Sequence, residues 1–298
     1  MRKRAILATV MVAILVVPVP AFAWGAVAHR YLTRRVVELL PAELKPLFLK
    51  NQDEFALRSN DPDLWRLFFE DEIPNHQIDF GVDDYGAFPF DALPREYDAA
   101  IEKFGMVTVR RHGTLPWRIQ EVYGALRRTF EGFARGQLYV EGNAILYAAA
   151  LSHYIEDAHQ PLHVHNNYDG QLSGQRGVHS RFESELFERF ESRLTIAPAR
   201  PQHVASARDA AFAIALRAHQ LVPQILTADK AAIGNRDTYD DRYFDAFFAR
   251  MKPLLEQQMG GAITAVASMI VSAWEDAGRP QIRLSTPRAV QKIRGGNW

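Results

Sequence analysis

The 298-residue chain contains no cysteine. That excludes disulfides, zinc–thiolate and iron–sulfur centres and thiol nucleophiles, so any metal would have to be taken by imidazole, carboxylate or backbone groups. Nor is there a charge excess, since 35 Lys and Arg face 35 Asp and Glu. A protein that binds by broad phosphate neutralisation carries a basic surplus; recognition of a phosphate here would have to be local. No Gly-x-Ser-x-Gly elbow occurs, strand-like alternation is scarce and no internal repeat is visible. The N-terminal apolar run, residues 5–17, is shorter than the roughly 20 residues a bilayer span needs.

That run has telling flanks. Arg2, Lys3 and Arg4 precede it, Pro18 and Pro20 follow it, and Ala21-Phe22-Ala23 stands before Trp24. This is the pattern of a cleavable secretory signal. Residues 1–23 are expected to be removed, leaving a secreted or periplasmic protein with no stable membrane insertion. Cleavage takes away three Lys and Arg and no acid, which leaves a net charge of −3.

Apolar residues recur at helical spacing over 31–40, 119–133, 144–155, 182–194, 205–226, 239–255 and 262–274. The expected fold is all-α, a single multi-helix domain over 24–277. Segment 60–117 is rich in Asp, Pro, Gly and aromatics and reads as loops and short helical turns. Its aromatics (Trp65, Phe68, Phe69, Phe80, Tyr85, Phe88, Phe90) are expected mostly in the core, with one or two free to stack on a base or touch lipid. A glycine-rich loop covers 168–177, and 278–298 reads as a basic, loosely attached C-terminal tail.

The densest chemical signal is the run from His153 to His163. His153 and Asp157 are four apart and share one helical face. Pro161 interrupts the helix and carries His163 onto the adjoining segment. A second pair at the same spacing follows, His179 and Glu183. One such pair is commonplace on a solvated helix; two pairs around an extra histidine can converge on a metal cluster. His29 lies five residues beyond the expected new terminus, and His76 follows Asp61 and Asp63. A terminal amine has a pKa near 8, so with its own carbonyl oxygen it can chelate a metal at neutral pH.

On these residues the chain resembles the superfamily of bacterial zinc-dependent phospholipases C and single-strand-specific zinc nucleases of the S-one/P-one type. The matching features are Trp24-Gly-Ala-Val-Ala-His29, Pro62-Asp63-Leu-Trp-Arg66, His76-Gln-Ile-Asp79, the His153/Asp157/His163 run and the His179/Glu183 pair, spanning 24–183. The resemblance implies a helical fold around three Zn2+ ions. Asp63, His76, His153 and Asp157 would hold one, and His163, His179 and Glu183 a second. The Trp24 amine and carbonyl with His29 and Asp157 would hold a third. Asp63 fits the pattern better than Asp61, because an Arg stands three residues after it. The implied activity is phosphodiester hydrolysis by a metal-activated water, with Asp63 and Asp157 as catalytic ligands and Asn166 as a substrate contact; Arg176, in the glycine-rich loop before His179, is a candidate contact to a phosphate oxygen. Three Zn2+ ions on three carboxylates and neutral imidazoles leave an excess of positive charge, suited to a hydroxide and a phosphodiester together.

Two substrates remain open. A phospholipid is favoured by His153-Tyr-x-x-Asp157, by Asn166 and by glutamate at 183. A nucleic acid is favoured by His159-Gln-Pro-Leu-His163 and His76-x-Ile-Asp79. Glu156 departs from the phospholipase wording, where a small residue is usual, and the lack of cysteine departs from the disulfide-bearing nucleases. A non-catalytic exported zinc-binding protein is the alternative of a different class.

Overall fold

The helical periodicity becomes thirteen α-helices and several 3₁₀ turns in a computed structural model that describes residues 25–284, with no strand among the described residues. Short helices come first: α1 (Ala26–Val36), α2 (Lys45–Lys50), α3 (Gln52–Arg58), α4 (Asp61–Trp65), α5 (Tyr97–Phe104) and α6 (Met106–His112). The two long helices α7 (Leu115–Ala134) and α8 (Val140–His159) follow, then α9 (Val178–Ser180), α10 (Leu186–Phe190), α11 (Ala207–His219), α12 (Val222–Ile233) and α13 (Asp241–Asp276).

Helix α8 is the hub. From Ala144 to His159 nearly every side chain is buried, because α1, α3, α7, α11 and α13 surround it. Its alanine run, Ala148, Ala149 and Ala150, presents small side chains in three directions and lets those neighbours come close. A helix that is apolar all round belongs in a core, so the charged residues it carries near its C-terminus must find partners there.

Boundaries differ from the periodicity in three places. The stretch 205–226 divides at Gln220 and Leu221, and α12 restarts with Pro223 in its first turn, where a proline costs no hydrogen bond. Segments 239–255 and 262–274 fuse into the 36-residue α13, which runs through Pro253 with that ring on an exposed face. Segment 182–194 is broken into a π-helical turn (Arg181–Glu185), α10 and a 3₁₀ turn (Glu191–Arg193). The start of the tail is also not loose. Trp274 Nε1 donates to the Pro280 carbonyl at 3.0 Å, and Ile282 and Leu284 pack on the core. The expected signal segment, Trp24 and residues 285–298 lie outside the described residues.

Segment 74–80 positions part of the site. Ile78 N donates to the His163 carbonyl (2.9 Å), and Asn166 N to the Phe80 carbonyl (2.9 Å), so this segment lies beside 163–166. On its other side Leu115 N reaches the Gln77 carbonyl (3.1 Å). Gly113, at φ 96°, permits that approach, since a Cβ there would stand 2.1 Å from the Gln77 oxygen.

Candidate metal centre

Three buried groups of nitrogen and oxygen donors meet at the C-terminal half of α8: His29, His153 and Asp157; Asp63, His76 and His153; His163, His179 and Glu183. Within each, the possible ligand atoms lie within 4.8 Å of one another. Each group can hold a metal ion, and together they contain every described residue expected as a ligand.

Local structure explains the convergence. On α8, His153 Nε2 lies 3.3 Å from Asp157 Oδ2, one turn away. The helix ends at His159, and the Gln160 side chain accepts from Leu162 N (2.6 Å). Pro161 then opens the 3₁₀ turn Pro161–Val164, which carries His163. His179 sits on α9 and Glu183 in the π-helical turn, with His179 Nε2 2.9 Å from Glu183 Oε2. Such wide turns often occur at functional sites. Helix α1 brings His29, whose ring stacks on that of His153 at 4.2 Å between centroids. Helix α4 brings Asp63, buried, whereas Asp61 is half-buried and pairs outward with Arg58 at 3.3 Å.

Four of the five imidazoles are fixed by one nitrogen and aimed by the other. Nδ1–H donates to a carbonyl or carboxylate in each: His153 to Ser59 (2.7 Å), His163 to His76 (2.6 Å), His179 to Tyr168 (2.9 Å) and His29 to Glu156 Oε2 (2.5 Å). That sets the tautomer and turns the Nε2 lone pair into the cluster; it meets no hydrogen-bond partner in His29 and His163, but lies 3.0 Å from His76 Nδ1 in His153 and 3.1 Å from Gln160 Nε2 in His179. His76 is reversed, with Nδ1 3.1 Å from Asp157 Oδ2 and Nε2 toward Glu72 at 3.7 Å.

What the centre lacks is hydrogen bonds. His29 Nε2, both oxygens of Asp63, Asp157 Oδ1, His163 Nε2 and Glu183 Oε1 are buried with no hydrogen-bond partner among the described residues, although Arg66 Nη2 lies 3.3 Å from Asp63 Oδ1. Buried polar atoms are almost always satisfied, and several unsatisfied at one place are what donors arranged for a cation would show. The all-nitrogen-and-oxygen set is one that zinc accepts.

Without a metal the groups perturb one another. Burial would lower His29, but hydrogen bonds to Asp157 and Glu156 outweigh it and raise the ring to about 10. Burial would raise Asp157, but His153 and His163 hold it well below the usual carboxylate range. In Glu183 burial is again outweighed, by His179 and His163, and its pKa falls to about 2. Burial lowers His153 to about 4 and raises Asp63.

Several partners escaped the sequence reading. Glu156 Oε1 accepts from Ser152 (2.7 Å) and Thr33 (3.0 Å) while Oε2 holds His29. Gln160 Nε2 contacts Glu183 (2.9 Å) and His179 (3.1 Å). Tyr154 donates to Glu72, behind His76. The available signal was α8 itself, because a glutamate beside the apolar run Ala144–Leu151 of a buried helix implies a dedicated partner. The two expected substrate contacts look different. Asn166 Nδ2 is committed to the Gly81 carbonyl (2.7 Å), tying two segments together. Arg176 is exposed, and it is its carbonyl that takes part, accepting from Arg181 Nη1 (2.9 Å).

Arg181 belongs to a second buried network that supports this side of the centre. It pairs with Asp229 at 3.0 Å, and Tyr243 OH and Gln175 Nε2 (2.7 Å) also donate to that carboxylate. The sequence matches no protein-family model and no curated protein. The chemistry of the centre therefore has to be argued from its own geometry.

Proposed function

We propose that the protein is an exported zinc-dependent phosphodiester hydrolase. The observation that carries this reading is the convergence of His29, Asp63, His76, His153, Asp157, His163, His179 and Glu183, several with buried unpaired atoms, in a site with no thiol. Asp63, His76, His153 and Asp157 would hold one zinc, and His163, His179 and Glu183 a second. His29 and Asp157 would hold a third with the Trp24 amine and carbonyl. When bound, zinc supplies Lewis acidity and lowers the pKa of a water to near neutrality.

The chain's own residues do the rest. Glu156 and the carbonyls of Ser59, His76 and Tyr168 keep His29, His153, His163 and His179 in the ligating tautomer. Gln160 holds Glu183 and His179 at the register where α8 ends. Burial keeps competing water from the donors and strengthens every charge interaction among them. No side-chain nucleophile is needed, so in this reading the transferred group goes directly to water.

The exposed apolar strip beside the centre supports a phospholipid as substrate. Leu64, Leu67, Phe68, Phe69 and Ile73 are 49% to 79% exposed and lie between Asp63 and His76. Trp65 and Phe69 also line a cleft of about 780 Å³ shared with Glu72 and Arg118. Exposed apolar clusters of this kind mark contact with lipid or partner surfaces. A single-stranded nucleic acid is the second reading, supported by the same aromatics as stacking platforms.

Metal analysis and hydrolysis of bis-nitrophenyl phosphate, before and after chelator treatment, test the proposal. Turnover that disappears with the chelator and returns with Zn2+ is expected. Tightly bound zinc with no turnover on that ester, on phosphatidylcholine or on single-stranded DNA would leave a zinc-binding protein instead. Relative rates on the last two choose the substrate.

A further inference from the structure

A cavity of about 630 Å³ lies apart from the metal centre, between α11, α13 and the chain at 197–204. Ala197, Ala213, Ile214, Ala265 and Met269 give it apolar walls. Its size is that of an ordinary small-molecule site, which combines such walls with a few directed polar groups.

Of the polar groups here, two carry the argument. His159 lines the cavity yet is only 8% exposed. Its Nδ1–H donates to the Ile155 carbonyl at 2.9 Å, which leaves Nε2 as an acceptor. No donor among the described residues meets that lone pair. Gly261 keeps it open: in the middle of α13, where glycine is disfavoured, a Cβ would stand 3.2 Å from His159 Cδ2 and 3.3 Å from Nε2. Arg217, exposed at the rim, pairs with no carboxylate among the described residues. The acid that lines the cavity, Glu256, is engaged by Thr195 N (2.6 Å) and Lys252 (3.6 Å).

We propose that this cavity is a second ligand site, for a small organic acid with an apolar body and one hydroxyl or N–H donor. The body lies against the alanine, isoleucine and methionine walls, the donor meets His159 Nε2, and the acid group pairs with Arg217. None of these three contacts involves a residue assigned to the metal centre, so the site stands whether or not the hydrolase reading does.

The test uses 1-anilinonaphthalene-8-sulfonate, which has an apolar body, one N–H and one sulfonate, titrated into the mature full-length chain and followed by fluorescence. One saturable equivalent is expected. Arg217→Gln should weaken it about tenfold or more, the loss of one charge-assisted hydrogen bond. Ala213→Trp should abolish it by filling the cavity. Both positions are on the accessible side of α11, and unchanged melting temperatures show that the fold survives. Binding should also shift the His159 Nε2 resonance in a 15N spectrum. Absence of saturable binding, equal affinity in all three proteins, as expected if the probe sits on the strip around Phe68, or an unmoved His159 resonance would each overturn the proposal.

Discussion

Replacing Glu156 with glutamine perturbs one proposed ion site and spares the other two. The native carboxylate accepts three hydrogen bonds, from His29 Nδ1 at 2.5 Å, Thr33 at 3.0 Å and Ser152 at 2.7 Å. Glutamine has one oxygen for those donors. If its NH2 faces His29, the imidazole must take the other tautomer and point a proton at Asp157, which forbids ligation through Nε2. If the amide turns over, His29 keeps its tautomer but loses the negative charge that made it a strong donor. Removing such a carboxylate behind a ligating histidine typically costs 10- to 100-fold in metal affinity, about 1.4–2.8 kcal/mol. The assay is a zinc titration of metal-stripped protein against a chromophoric chelator, fitted for each equivalent. One equivalent should weaken by that factor while the others hold. Uniform weakening of all equivalents, or no change in any, would refute the role given to Glu156 and the separateness of the His29 site.

Three further outcomes follow from the same geometry. Asp63→Asn should lower zinc content, whereas Asp61→Asn should leave it unchanged, because Asp61 turns to Arg58 and Asp63 into the cluster; mass spectrometry of the two variants under native conditions reads the difference. Stability of the metal-free chain should fall from pH 6.5 toward 4. There folded His153 and His159 stay neutral, with pKa values of about 4, while the unfolded histidines take protons. Each contributes roughly 3 kcal/mol over that window, present above pH 6.5 and lost below it. His29, raised to about 10, acts in the opposite sense: its contribution is full below pH 6.5 and fades as pH rises through 10. Urea melts at pH 7, 6 and 5 check this, and a flat profile would contradict it. Finally, Asp229→Asn strands the buried Arg181 charge and should cost about 3–5 kcal/mol, seen as a large drop in melting temperature.

Much of the donor cluster was legible because its spacing is local. His153 with Asp157 and His179 with Glu183 announce themselves at four residues apart, and Pro161 explains why His163 lies off the helix. The groups that hold those ligands were not legible, since each pairing joins distant segments: Glu156 to His29 across 127 residues, the Ser59 carbonyl to His153 across 94, Asp229 to Arg181 across 48. Nothing in a single sequence specifies which buried carboxylate meets which donor. The long helix α13 was read as two segments, 239–255 and 262–274, with Gly260-Gly261 between them and Pro253 near the end of the first. Packing overrides them: the proline faces outward, and the glycines sit where the Ala197 carbonyl and His159 come close. Conversely the break between α11 and α12 carries only the modest signal of Pro223. Asn166 Nδ2 likewise donates to the Gly81 backbone across 85 residues, a contact its place in the motif does not specify.

Anomalous diffraction at the zinc edge, from crystals of protein beginning at Trp24, tests the central claim most directly. Three peaks are expected: one among Asp63, His76, His153 and Asp157, one among His163, His179 and Glu183, and one beside His29 and Asp157 at the new amino terminus. Peaks only at the surface, or none in a protein grown with zinc, would contradict it.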